Sequence, residues 1–242
     1  MSYSASWRFG VGLAWCVLVA GCGLGAAGGD DAGEAAGAAT TSGGSGAGGP
    51  GALQADVIRD DFSDPESGWL RRTRDEYGAD YEDGAYVVWV DNAASNYIAS
   101  TGSHEAAAEL GDTRFEISAT KVSGPEGSPI GLSCRQWSDS DRRGIYFADL
   151  DAEGEVRVGL YDEEGQQILA EAQRPGLWRD GANALRLDCI GDQISFFVNG
   201  EEVLSASNDR FAQGRVGVRA GGGSSGVTRV AFDDAVITVV GS

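Results

Sequence analysis

Apolar and polar residues alternate with a period of two through most of the chain after Ala55, and glycine- or aspartate-containing turns interrupt the alternation at short intervals. The clearest case is Ala182 to Gly200. There Leu185, Leu187 and Cys189 alternate with Arg186 and Asp188, and Ile194, Phe196 and Val198 resume the alternation after Gly191-Asp192. A period of two on both arms predicts an antiparallel hairpin with one face in a core. Asn199-Gly200 then signals a type I′ turn into a third strand, Glu202 to Ala206. The same reading places strands at Val57 to Phe62, Ala79 to Tyr81, Tyr86 to Val90, Asn96 to Ser100, Arg114 to Val122 and Ile130 to Cys134. Further strands follow at Ile145 to Leu150, Val156 to Leu160, Ile168 to Ala172, Val216 to Ala220 and Val227 to Val240. Only His104 to Leu110 reads as a helical turn. About thirteen strands with no long helix predict an all-β sandwich of two antiparallel sheets.

The front of the chain follows a different pattern. Arg8 precedes the apolar run Phe9 to Ala20, which has the length of a signal peptide rather than of a membrane span. Leu18-Val19-Ala20-Gly21-Cys22 resembles the lipobox of bacterial lipoproteins. That resemblance implies cleavage before Cys22, acylation of that residue with palmitate-type chains, and export with anchoring at the outer face of a bacterial membrane. Residues 1–21 are then a lipoprotein signal peptide. Residues 22–54, rich in Gly and Ala, are a linker that cannot bury enough surface to offset its ordering entropy. Residues 55–242 are the folded domain. In an exported chain disulfides persist. With Cys16 removed and Cys22 acylated, Cys134 and Cys189 are the remaining pair, both on the apolar phase of their strands. A bridge between them is expected, with two buried thiols as the alternative.

Charge narrows the partners. Asp and Glu number 37 against 18 Lys and Arg, a net charge of −19. Such a balance argues against nucleic acid or anionic lipid head groups as ligands.

Five segments taken together resemble bacterial concanavalin A-like jelly-roll domains, related to family 16 glycoside hydrolases and laminin G modules. They are Asp60-Asp61-Phe62-Ser63, Gly131-Leu132-Ser133-Cys134-Arg135, Asn183-Ala184-Leu185-Arg186 with Cys189 and Gly191, Val198-Asn199-Gly200, and Phe232-Asp233-Asp234. The resemblance spans residues 55 to 240 and implies two packed sheets with a concave face, a shape used by lectins and glycanases. It does not by itself supply a function.

A retaining glycanase needs two carboxylates about 5–5.5 Å apart. Family 16 enzymes present theirs from alternate residues of one strand, and Asp149-Leu150-Asp151-Ala152-Glu153 approximates that spacing. A turn signal at Asp151 to Gly154 splays these acids, so the segment reads as a solvated hairpin tip and no catalytic residue is assigned. His104 is the only histidine and reads as a surface residue, which removes Ser-His-Asp and histidine-based zinc chemistry.

A binding surface is more legible. If Leu132, Cys134, Ile145, Phe147, Val156, Val158 and Leu160 face the core, then Arg135, Trp137, Tyr146, Arg157 and Tyr161 share the opposite face. Aromatic rings stack on sugars and Arg bonds hydroxyls, so the five form a candidate glycan platform, with ordinary cross-strand packing as the alternative. No motif implies a cofactor. Ca²⁺ is the ion that Asp60, Asp61, Asp233 and Asp234 suit, should the chain ends be neighbours. The expected function is a non-catalytic module binding an extracellular glycan or other envelope component. A glycoside hydrolase-like enzyme and a structural lipoprotein with a protein partner are the alternatives.

Overall fold

A computed structural model describes residues 57–91, 98–101, 109–138, 143–223 and 225–241. The expected signal peptide, Cys22, the linker and His104 lie outside them. In chain order the strands are β1 (Val57–Asp60), β2 (Arg72–Thr73), β3 (Tyr77–Glu82), β4 (Ala85–Asp91), β5 (Ile98–Thr101), β6 (Thr113–Ser123), β7 (Ile130–Ser138) and β8 (Arg143–Leu150). There follow β9 (Glu155–Asp162), β10 (Gly165–Gln173), β11 (Ala182–Ile190), β12 (Gln193–Val198), β13 (Glu201–Ser207), β14 (Arg215–Gly221) and β15 (Val227–Val239). No helix occurs among the described residues, and Leu110, at the end of the expected helical turn, makes an isolated antiparallel bridge to Gly214.

The strands form two sheets. Nine make one, ordered β13-β12-β11-β6-β15-β4-β3-β2 with β1 also on β15, and six make the other, ordered β10-β9-β8-β7-β14-β5. Every pairing is antiparallel. The β11–β12–β13 meander is as the alternation predicts, and Asn199 and Gly200 both take the left-handed φ that a type I′ turn requires, 52° and 86°. Strand β15 carries an irregularity between Asp233 and Val236 and exchanges β4 for β1 across it while keeping β6 on its other edge. One strand thus organises both ends of the larger sheet.

Between the sheets Leu132, Tyr146, Ala148, Val158 and Leu160 meet Phe115, Ile117, Leu187, Phe196 and Phe232. Cys134 on β7 and Cys189 on β11 are disulfide-bonded across this core, with Cα atoms 6.6 Å apart. The bridge therefore ties one sheet to the other. Phe62 and Trp69 close the core near the start of the domain, their centroids 5.3 Å apart, and Trp69 Nε1 donates to Asp60 Oδ2 at 2.8 Å.

One strand faces the reverse of the expected way. On β8 the core side is taken by Tyr146, Ala148 and Leu150, opposite Leu160, Val158 and Val156 of β9. Ile145 and Phe147 lie on the outer face, where Phe147 fills the space left by Gly159 and Arg219 covers its ring at 4.4 Å. The segment Ile145-Tyr146-Phe147-Ala148 is apolar on both phases, so alternation alone does not choose between them.

Candidate functional site

The site is built around a β-bulge in β7. Leu132 and Cys134 face the core in the regular alternation, but pairing with β8 shifts between Cys134 and Trp137, and Arg135 takes a left-handed φ of 48°. The extra residue reverses the phase, as a bulge must. Trp137 then lies opposite Gly144 and is carried to the rim of the core, where its ring meets Phe211 edge-on with centroids 6.2 Å apart. Gly144 is required here: a Cβ at that position would stand 2.4 Å from Trp137 Nε1 and 2.6 Å from the Phe211 ring.

Phe211 belongs to the segment between β13 and β14, which four sets of contacts hold in place. Leu110 and Gly214 exchange backbone hydrogen bonds of 3.0 and 2.9 Å. The Tyr146 hydroxyl donates to Asn208 Oδ1 at 2.6 Å and accepts the Phe211 N–H at 3.0 Å. Burial raises the Tyr146 phenol above its ordinary value, so it remains a proton donor at neutral pH. Arg135 donates to Phe211 O at 3.0 Å, and also to Cys189 O, Gly191 O and Asp112 Oδ1 at 3.3, 2.8 and 2.9 Å. Finally, Arg210 is ion-paired with Asp162 at 2.9 Å, which ties the segment to the end of β9. These contacts leave an open cavity of about 460 Å³ lined by Trp137, Glu163, Arg210, Phe211, Ala212 and Gln213.

The structure separates the five expected platform residues. Arg135, Trp137 and Tyr146 do come together, but only Trp137 lines the cavity. Arg135, 3% exposed, and Tyr146, fully buried, support it from beneath. They cannot form an outer platform because the bulge turns Arg135 inward and the phase of β8 puts Tyr146 in the core. Arg157 and Tyr161 lie on the outward face of the smaller sheet. There Tyr161 sits under Arg143, whose guanidinium carbon is 4.8 Å from the ring centroid and whose NH2 group donates to the phenol at 2.6 Å. Arg157 is paired with Glu155 at 3.0 Å. Glu163, Arg210, Phe211 and Gln213 were not predicted. They belong to connections without periodicity, where the one sequence signal is a large aromatic residue, Phe211, in an otherwise polar segment.

Asp60, Asp61, Asp149, Asp151 and Asp233 have structural partners. Asp149 faces outward, buried, and is bound by Arg219 at 2.9 and 3.3 Å. Asp151 is 2% exposed and its Oδ1 accepts the Glu155 N–H at 3.0 Å, so this hairpin tip is docked rather than solvated. The docking comes from Ala152 N donating to Glu126 O at 3.0 Å and Arg174 N donating to Gly154 O at 2.6 Å. No second carboxylate joins Asp149 from positions 145 and 147 of its own strand face, which carry Ile145 and Phe147. The β1–β15 pairing does bring the first and last strands of the described domain together, and Asp60, Asp61 and Asp234 line one open cavity there. Asp60 accepts from Phe62 N and Trp69 Nε1, Asp61 from Ser63, and Asp233 from Asp234 N. Among the described residues no group of three or more His, Cys, Asp or Glu side chains is arranged to hold a metal ion.

No protein-family model matches the sequence, and no curated protein matches it. Solved structures share its fold. A prokaryotic β-1,3-1,4-glucanase (lichenase) from a mouse hindgut metagenome superposes with a TM-score of 0.55 at 10% identity, covering 76% of this chain and 99% of the glucanase. The β-glucanase of Bacillus licheniformis gives 0.54 at 9% identity, covering 76% and 98%. The κ-carrageenase of Pseudoalteromonas carrageenovora, in complex with an oligotetrasaccharide of κ-carrageenan, gives 0.53 at 13% identity, covering 78% and 97%. The domain has the concanavalin A-like jelly-roll fold expected from the sequence.

Proposed function

We propose that this protein is a membrane-anchored lipoprotein that binds a glycan, without hydrolysing it, in the cavity beside Trp137. The observation that supports this most directly is the composition of that cavity. An indole and a phenyl ring stand next to a guanidinium, a carboxylate and a carboxamide, in a volume of about 460 Å³. Small-ligand sites span about 300–1,000 Å³ and combine apolar surface with a few fixed polar groups. A sugar ring has an apolar face for Trp137 and hydroxyls for Arg210, Glu163 and Gln213. The bulge, the disulfide and Arg135 hold this arrangement before any ligand arrives, which lowers the ordering cost of binding. The fold agrees with this reading, since one of its structural neighbours was captured with an oligosaccharide. The acids favour binding over hydrolysis, because Asp149 and Asp162 are both ion-paired to Arg side chains.

Trp137→Ala is the test. The variant loses retention on the cognate polysaccharide, with affinity weakened at least tenfold, about 1.4 kcal/mol. Its thermal midpoint falls by only a few degrees, since Trp137 sits at the rim of the core. Unchanged affinity in this variant sinks the assignment of the cavity.

Anchoring rests on Leu18 to Cys22. A thioether-linked diacylglycerol on Cys22 is stable in the bilayer, at about 0.8 kcal/mol per buried CH₂. Cys22→Ala moves the protein from the membrane to the soluble fraction of the producing cell. Equal membrane retention of parent and variant counts against the anchor.

A further inference from the structure

We infer that the Trp137 cavity selects uncharged saccharides and excludes those bearing sulfate, phosphate or uronate groups, an inference that rests on the proposed glycan-binding role of the cavity. Among the described residues its lining contains one cation, Arg210, and that charge is already balanced. Arg210 NH2 stands 2.9 Å from Asp162 Oδ2 and NH1 stands 3.9 Å from Glu164. Asp162 is 2% exposed and its other oxygen accepts the Glu164 N–H at 2.7 Å. An anionic ligand cannot displace it without leaving a buried carboxylate unpaired. Glu163, between these two acids, lines the cavity itself. Among the described residues, Asp162 and Glu164, which face Arg210, and Glu163, on the lining, therefore set three carboxylates against one guanidinium.

Among the described residues no second cation reaches the site. Arg135 lies directly beneath, but its guanidinium is buried and bonded to Asp112 and three backbone carbonyls. Arg143, next to Gly144, is turned to Tyr161 on the outer face. The net charge of −19 adds a repulsive background. What remains at the cavity suits hydroxyl groups. Arg210 has N–H groups beyond those facing Asp162, Glu163 accepts from hydroxyls, and Gln213 does both.

The experiment uses the full chain and an array of neutral oligosaccharides, each with a sulfated and a uronate-bearing counterpart of the same backbone. Calorimetry on the best neutral probe and its sulfated partner follows, at low and at high salt. The neutral probe binds at least tenfold more tightly, the gap narrows at high salt, and it narrows again in an E163Q/E164Q variant. A sulfated or uronate probe that binds equally well or better, with Trp137→Ala abolishing that binding, overturns the charge selection while leaving the cavity assignment intact. Absence of binding to every probe, or binding that survives Trp137→Ala, overturns the cavity reading and this inference with it.

Discussion

Replacing Cys134 and Cys189 together with alanine lowers the stability of the folded domain by about 4 kcal/mol and the thermal midpoint by about 10 °C. The bridge closes a loop of 55 residues, and loop-closure entropy for that length gives the first figure. The effect is not confined to the unfolded chain. Cys134 immediately precedes the bulge, and Cys189 supplies one of the carbonyls that hold Arg135. Without the crosslink, β7 and β11 still meet at this point through Arg135 and apolar packing. The Trp137 cavity loosens with them, so on the proposed function glycan affinity falls in the same variant. Calorimetry of parent and double variant under non-reducing conditions reads the first effect. A midpoint within about 2 °C of the parent would falsify the view that the bridge holds the sheets together here.

The bridge itself was legible in the sequence, because both cysteines fall on apolar phases of strongly alternating strands and the expected export, with Cys16 removed and Cys22 acylated, leaves them no other partner. The meander from Ala182 to Ser207 was equally legible, since Leu185, Leu187, Ile194 and Phe196 admit one phase only and Asn199-Gly200 marks the turn. The site was not. Its geometry depends on one inserted residue at Arg135, where no glycine or proline announces a left-handed φ, and that residue decides which way Trp137 faces. A second ambiguity arose on β8, where Tyr146 and Phe147 are both large and aromatic and only the packing of Phe147 over Gly159 settles the phase. Arg135, Trp137 and Tyr146 were thus associated with a common surface for the wrong geometric reason. They share a site because a bulge gathers them at one end of the sandwich. Glu163, Arg210 and Gln213 lie in connections, where no period exists to reveal proximity.

Arg135 separates the two contributions of that bulge. A non-glycine residue in the left-handed region costs about 1–2 kcal/mol, and Arg135 bears this cost at φ 48°. Arg135→Gly removes the strain and the guanidinium together, whereas Arg135→Ala keeps the strain and loses the guanidinium. The Ala variant is expected to lose about 3 kcal/mol, because Phe211 O, Cys189 O and Gly191 O are left without their donor. Asp112 adds little to the loss, since its side chain is one-third exposed and water can replace its partner. The Gly variant recovers about 1 kcal/mol of that stability. In both, Phe211 loses the Arg135 contact and is held from below by Tyr146 alone, so the amides of the Asn208 to Gly214 segment exchange faster and, on the proposed function, the glycan is bound more weakly. Equilibrium denaturation gives the stabilities and hydrogen exchange the segment's opening. If the Gly variant were the less stable of the two, the left-handed conformation would not be a strain that Arg135 sustains. If exchange at Phe211 were unchanged in both, the guanidinium would not be what preorganises the cavity. Arg135→Lys completes the set: it keeps the charge but cannot reach four acceptors in the plane of a guanidinium, so it is expected to behave like Ala in exchange and binding.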